Sequence, residues 1–184
     1  MDANEIRDAF GEIYGLPTWQ VRKGIGSFLT LEFGDPHLRI REPYLSRSKS
    51  LAARRLAARR QVTVSGQWHL WIYMCNWTIS ANGMPLADNE ASNATIDRTT
   101  QYLDGQKLQS VEVMRKDMKT VFQFDLGGKL AAWPYVDEEL RSDAQWILYD
   151  RGAKITRTLN GDGTWLCEPS DSESESAPVH GDRR

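Results

Sequence analysis

Histidine and cysteine, the residues most used for metal binding and nucleophilic chemistry, are scarce in this sequence. The histidines are His37 in a predicted turn, His69 within a predicted strand and His180 near the end, and the cysteines are Cys75 and Cys167. A metal site needs ligands that converge, usually with close spacing on one element. No such spacing occurs, and two cysteines are too few for a disulfide framework. The sequence therefore predicts no metal site and no cofactor.

The remaining candidates for chemistry favour structural interpretations. Residues 137–139 are three consecutive acids, but no apolar residues surround them to tune a pKa for acid–base catalysis. Residues 160–163, Asn-Gly-Asp-Gly, are similar to a calcium loop but lack its final glutamate, which favours a hairpin turn. Cys75 lies in an apolar stretch, where a thiol is inert. We predict no catalytic residue, and the sequence leans away from an enzyme.

The segment 45–60 differs from the rest of the chain, since it repeats Leu-Ala-Ala-Arg-Arg in tandem and contains no acid. It could bind phosphates of a nucleic acid, bind an acidic protein, or form a solvated insert of either helix or loop. The overall formal charge of −2 argues against nucleic acid. The candidate partner-binding residues are its six basic side chains: Arg47, Lys49, Arg54, Arg55, Arg59 and Arg60.

The stretch 66–77 is the predicted organising element, because its composition, rich in aromatic and branched residues, indicates the central strand of the domain. In a strand, successive side chains face opposite sides. One face would carry Trp68, Leu70, Ile72 and Met74, and the other His69, Trp71, Tyr73, Cys75 and Trp77. Since both faces are apolar, we expect this strand to be covered on both sides, with His69 as a hydrogen-bonded core residue.

Helices are predicted over residues 3–14 and about 93–103 from capping residues and apolar periodicity. Residues 28–33 alternate with Leu29, Leu31 and Phe33 on one side, and after a turn at 34–36 the run 38–41 continues as a hairpin with its arginines outward. Further strands are predicted near 107–115, 119–126, 129–133, 145–150, 153–159 and 164–167.

The two halves of the chain match each other in pattern, which predicts an internal duplication. Residues 29–34 match 122–127, Pro43-Tyr44 matches Pro134-Tyr135, and Gln67-Trp68 matches Gln145-Trp146. The predicted fold class is α+β and mostly antiparallel β, with two duplicated β-units packed as a sandwich or split barrel and two flanking helices. Residues 1–169 would form a single β-rich domain, with half-units at about 17–80 and 105–167, followed by a disordered acidic and polar tail at 170–184.

Four motifs of turns and strand starts resemble a group of small uncharacterised bacterial β-rich proteins. They are Gly-Gln-Trp-His-Leu-Trp-Ile at 66–72, Leu-Asp-Gly-Gln-Lys-Leu at 103–108, Phe-Asp-Leu-Gly-Gly at 124–128 and Gln-Trp-Ile-Leu-Tyr at 145–149. The resemblance covers roughly residues 15–167. It implies a bacterial cytoplasmic protein and carries no known activity.

Three functions remain open at this point. The leading hypothesis is a non-enzymatic cytoplasmic protein-binding module, immunity- or adaptor-like, with a protein partner and no membrane segment. The alternative is a nucleic-acid-associated protein that uses segment 47–60. The second alternative is a small-ligand binder or enzyme with a pocket between the halves, lined by some of the seven tryptophans at positions 19, 68, 71, 77, 133, 146 and 165.

Overall fold

The computed structural model describes residues 3–24 and 26–170, which form a mostly antiparallel β-structure with three α-helices. In chain order the elements are α1 (Ala3–Phe10), β1 (Thr18–Lys23), β2 (Leu29–Phe33), β3 (His37–Arg41), α2 (Leu51–Ala57), β4 (Gln61–Ser65), β5 (Trp68–Ile72), β6 (Asn76–Ala81), β7 (Met84–Asp88), α3 (Asn93–Leu103), β8 (Leu108–Met114), β9 (Lys119–Phe124), β10 (Gly128–Trp133), β11 (Ala144–Asp150), β12 (Ile155–Asn160) and β13 (Trp165–Pro169). The predicted α+β, mostly antiparallel and sandwich-like fold is confirmed, with α2 as a third helix.

Two antiparallel sheets pack in a sandwich-like arrangement around one hydrophobic core. The six-stranded sheet has the order β1-β2-β5-β11-β12-β13, and the five-stranded sheet has the order β7-β6-β10-β9-β8. Helix α1 joins the sheets, because the ring of Phe10 lies edge-on to Phe122 of β9 and to Trp146 of β11, at centroid distances of 5.8 and 5.5 Å. Such aromatic contacts stabilise a core beyond the area they bury.

The stretch 66–77 is two strands, not the single strand predicted. It forms β5 at the centre of the six-stranded sheet, leaves that sheet at Tyr73, and enters the five-stranded sheet as β6. The expected burial of both faces is also wrong, since Trp68, Leu70 and Ile72 are buried whereas the alternate residues of β5 are half-buried. The residues before and after this crossing are apolar because the chain passes through the core here. The composition therefore does not show where one strand ends and the next begins.

The predicted hairpin of residues 28–41 is also wrong. Strand β2 pairs with β1 on one edge and β5 on the other, so it has no free edge for β3. After the turn at Gly34, which has φ +71°, β3 leaves the sandwich and pairs with β4 in a separate two-stranded ribbon.

The internal duplication remains a prediction. Strands β5 and β11 lie side by side with Leu70 opposite Leu148, so the two matched Gln-Trp strands are antiparallel neighbours. The other matched segments take different partners: β9 pairs with β10 inside the five-stranded sheet, whereas β2 and β3 belong to different sheets.

Other boundaries lie close to their predicted positions. Helix α3 spans Asn93–Leu103, with the Ser92 side chain accepting a hydrogen bond from the Thr95 amide at 3.2 Å. Helix α1 ends at Phe10 rather than at residue 14, although Ile13 beyond its end is still buried in the core. The predicted tail lies outside the described residues except for Ser170.

Candidate functional site

Residues 37–65 form an arm that stands apart from the sandwich. The arm consists of the β3–β4 ribbon and, between its strands, a loop and helix α2. Within the described residues, neither ribbon strand pairs with a strand of either large sheet. The register places Leu38 opposite Val64 and Ile40 opposite Val62. Since residues directly opposite each other, and residues two apart along a strand, share a face, these four side chains form one row, which we call the aliphatic strip.

The aliphatic strip is exposed to solvent. Leu38 is 70% exposed, Ile40 57%, Val62 56% and Val64 37%. The predicted orientation of β3, with its arginines outward, is therefore wrong, because Arg39 and Arg41 are the half-buried residues of that strand. Alternation shows which residues share a face, but the tertiary fold decides which face is covered.

The other face of the ribbon is partly covered by the arm itself. The Arg41 guanidinium lies over the ring of Tyr44, 5.2 Å from its centroid. The Tyr44 amide donates to the Ala57 carbonyl at 2.9 Å, which ties the loop to the end of α2. Ala57 is buried, whereas Leu51 and Leu56 of the same helix are both more than half exposed. The arm thus keeps a small interior and leaves most of its large apolar side chains outside.

Helix α2 supplies only part of the basic segment. It begins after Ser50, whose hydroxyl accepts a hydrogen bond from the Ala53 amide at 3.3 Å, and it ends at Ala57. Arg54 and Arg55 lie on the helix, whereas Arg59 lies beyond its end. The helical arrangement considered for all four arginines of the repeat is therefore wrong for the second pair, since Gln61 already begins β4.

All six predicted partner-binding residues are exposed: Arg47, Lys49, Arg54, Arg55, Arg59 and Arg60. Arg60 forms an ion pair with Glu42 at 2.9 Å, and both side chains are solvent-exposed, so this pair contributes little stability. The other five form no ion pair with an acid in the described part of the chain. Their positive charges face solvent.

The arm concentrates positive charge. Residues 37–65 contain eight basic residues and one acid, a formal charge of +7 in a chain whose overall charge is −2, so the remainder carries −9. The predicted basic residues and the aliphatic strip therefore belong to the same arm. The strip was missed as a candidate site.

A buried carboxylate attaches the arm to the sandwich at Ser65 and Gly66, which we call the root of the arm. Glu32 of β2 is 4% exposed, and its two oxygens accept hydrogen bonds from the Gly66 amide and from His69 Nδ1, each at 2.8 Å. A Cβ on Gly66 would lie 2.4 Å from the Phe33 carbonyl oxygen, so only glycine fits between the arm and β2. His69 is hydrogen-bonded as expected from the sequence, but it is half-buried and does not belong to the core.

Arg151 holds the same root from the other side. Its Nε donates to the Gly66 carbonyl at 2.8 Å and its Nη2 donates to the Ser65 hydroxyl at 2.7 Å. Burial by itself would raise the pKa of the Glu32 carboxyl, but the hydrogen bond and charge of His69, the Gly66 amide and the Arg151 charge outweigh it and hold the pKa below its ordinary value. The Glu32 carboxylate at this junction is thus ionised at neutral pH and hydrogen-bonded to both Gly66 and His69.

The weaker candidates occupy structural positions. Asp137 accepts a hydrogen bond from the Glu139 amide and begins a short 3₁₀ turn, and Asp162 accepts one from the Thr164 amide in the β12–β13 turn. Burial raises the pKa of the Cys75 thiol, which keeps it protonated. Among the described residues, no three histidine, cysteine or acidic side chains are grouped so that they could hold a metal ion.

The tryptophans occupy more than one environment. Trp77 and Trp146 are fully buried and Trp68 is 5% exposed, so these three fill the core. Trp71 is half-buried on the other face of β5, where its ring contacts Tyr73 at a centroid distance of 4.5 Å.

The chain therefore defines an antiparallel sandwich-like β-protein with a basic, aliphatic arm. It matches no protein-family model, no curated protein and no solved structure. In the part of the chain described, no helix is both long and apolar enough to cross a membrane.

Sequence reasoning missed Glu32 and Gly66 as the residues that position the arm. Glu32 has the pattern of an ordinary outward residue in an alternating strand, and its partner His69 lies 37 positions away. The only available signal for the aliphatic strip was the isolation of residues 38–41 and 62–64 as two short alternating runs on either side of the basic segment.

Proposed function

We propose that this chain is a non-enzymatic protein-binding module, immunity- or adaptor-like, and that the arm binds the partner protein. The observation that carries the proposal is the aliphatic strip, which is exposed on a ribbon whose strands pair only with each other within the described residues. Contiguous exposed apolar side chains rimmed by polar residues are typical of protein interaction sites.

The energetics support this use of the arm. Burying a fully exposed Val, Leu or Ile contributes about 1.5–3 kcal/mol. The strip residues are between 37% and 70% exposed, so covering all four would contribute a few kcal/mol in total. That is a useful share of a micromolar affinity, which corresponds to about 8 kcal/mol.

The attachment of the arm also supports a binding role. Glu32, His69 and Arg151 fix the backbone at Ser65 and Gly66, which immobilises the base of the ribbon. A surface held in one orientation loses less entropy on binding than a mobile one. The partner would therefore meet a prearranged ribbon.

Nucleic acid remains the alternative partner, because the arm carries the basic residues that would contact phosphates. The strip disfavours nucleic acid, since aliphatic side chains gain little from a phosphate backbone.

A cytoplasmic location is part of the proposal and is supported by two free cysteines, one buried and one exposed.

Site-specific photo-crosslinking tests the proposal. A photoreactive residue would replace Val62 in the strip, and a matched control would carry it at Leu126, which is 68% exposed outside the arm. We expect a discrete protein adduct in cell lysate at position 62 that survives nuclease and is not formed at position 126. An adduct that disappears with nuclease supports the nucleic-acid alternative, and identical adducts at both positions contradict a role for the arm.

A further inference from the structure

We infer that the surface bound by the arm is an acidic protein surface that also presents aliphatic side chains, belonging to a different protein rather than to a second copy of this chain. The inference rests on the proposed function and adds the chemistry of the partner. Its basis is the combination, on one arm, of the aliphatic strip and a large excess of positive charge.

Charge complementarity identifies the acidic component. The arm has a formal charge of +7, and its one acid, Glu42, already pairs with Arg60. Arg54, Arg55 and Arg59 are exposed and have no ion pair with an acid in the described ranges. Complementary charges around an apolar centre guide association and select the partner, because a like-charged surface is repelled.

A second copy of the chain does not match this chemistry. A two-fold symmetric contact places each patch against its own equivalent, so the strips would meet with two arms of +7 formal charge brought together. A copy that docked through its acidic remainder would make a head-to-tail contact, which continues as an open chain of copies or closes into a ring. The first arrangement is electrostatically unfavourable, and the second would be detected as self-association of the chain alone.

The length of the ribbon sets the size of the complementary surface. Each ribbon strand has five residues and is therefore about 15 Å long. A helix of about 10 residues has the same length, and its side chains three and four positions apart are spaced about 5–6 Å, close to the spacing of cross-strand pairs on the ribbon. A short segment with aliphatic residues on one side would cover the strip, and its acidic residues would complement the positive charge of the arm.

Selection from a displayed library of random peptides of about 12 residues, long enough to span the ribbon, provides the test. The full chain is the bait, and selected peptides are then measured against two variants. In the strip variant, Leu38, Ile40, Val62 and Val64 are changed to Thr. In the charge variant, Arg54, Arg55 and Arg59 are changed to Gln. A variant with Met84→Thr and Leu126→Thr, both exposed outside the arm, is the matched control.

We expect the selected peptides to be net acidic and to contain aliphatic residues. Their affinity should fall about tenfold or more in each of the strip and charge variants, stay unchanged in the control variant, and weaken with added salt. Strip-dependent peptides that are neutral or basic and unaffected by the charge variant would overturn the inference and leave the proposed function standing. Selected peptides that bind the strip variant as well as the wild type would overturn the proposed function itself.

Two further measurements on the same proteins separate the other occupants. A duplex DNA probe that binds the wild type, and loses affinity in the charge variant but not in the strip variant, would overturn the inference in favour of nucleic acid. Sedimentation over a range of concentrations that shows strip-dependent self-association would overturn it in favour of a second copy. We expect the chain alone to sediment as a monomer.

Discussion

Ile40 and Val62 lie directly opposite each other on the two strands of the arm, and each is more than half exposed, at 57% and 56%. Cross-strand pairs of branched side chains stabilise a sheet by contacting each other and by being covered on one face. Here only the first condition holds. We therefore expect this pair to contribute little to the stability of the free protein, and we propose that it contributes to binding.

Changing the strip should leave the fold almost intact. We expect Ile40→Thr and Val62→Thr each to lower the free energy of unfolding by less than about 1 kcal/mol, since only a cross-strand contact is lost. Chemical denaturation measures this difference. Leu70→Ala, at a fully buried position of β5, is the matched comparison and should cost about 2–5 kcal/mol. A loss of similar size at Ile40 would show that the strip is covered in solution.

The root of the arm should tolerate no side chain at Gly66. We expect Gly66→Ala to cost about 3 kcal/mol or more, because the new Cβ would lie 2.4 Å from a backbone oxygen of Phe33. Gly24→Ala is the control, since its Cβ would meet Phe28 at an ordinary 3.6 Å. Thermal unfolding of the two variants should therefore differ clearly, and equal stability would contradict the close approach of arm and sheet.

Glu32→Gln should weaken the same junction at neutral pH. The substitution removes the charge that accepts hydrogen bonds from Gly66 and His69, and we expect a loss of about 1.5–3 kcal/mol at pH 7. Denaturant unfolding of the wild type and the variant measures it. Glu42→Gln is the control, because its ion pair with Arg60 is exposed and its loss should have almost no effect.

The contribution of Glu32 should also depend on pH. Its folded-state pKa is below the ordinary value of 4.5, so its stabilisation is fully present above that value and is lost as the pH falls through the folded-state pKa. The difference in stability between wild type and Glu32→Gln should therefore be present above about pH 4.5 and shrink below it. A difference that grows on acidification would contradict the assignment.

Replacing the core tryptophans should be costly. Trp68→Ala and Trp146→Ala are each expected to lower the free energy of unfolding by about 3–5 kcal/mol, because both side chains are buried between the sheets. The Trp146→Ala substitution would also remove the hydrogen bond that the Trp146 Nε1 donates to the Thr120 hydroxyl at 3.0 Å. A nearly neutral result at either position, measured by urea denaturation, would contradict the core described above.

Much of the fold could be predicted because its signals are local. The second helix predicted, at about 93–103, has a capping serine and an apolar stripe, and it forms as α3 at Asn93–Leu103. Short turns join β8 to β9 to β10, and others, such as the one at residues 160–163, join β11 to β12 to β13. Hairpin turns of this kind set both strand ends and partners. Helix caps and hairpin turns each depend on residues only a few positions apart in the sequence.

The structural predictions were wrong where the fold of a segment depends on distant parts of the chain. Composition at 66–77 does not show that the strand crosses between sheets at Tyr73–Cys75. Alternation in β3 does not show that its apolar side faces solvent. That exposure arises because β5 pairs with the edge of β2 and leaves β3 outside the sandwich. For the same reason the basic residues could be named as a candidate site, whereas the aliphatic strip beside them could not.

A quantitative pull-down from lysate tests the proposal that the strip binds a protein. The baits are wild type, the strip variant, a variant with Arg54, Arg55, Arg59 and Arg60 all changed to Ala, and the Met84→Thr/Leu126→Thr control, each with and without nuclease. We expect a discrete protein that survives nuclease with wild type and control, is lost with the strip variant and is reduced by the arginine changes. Retention of that protein by the strip variant, or recovery of nucleic acid that only the arginine changes abolish, would contradict the claim.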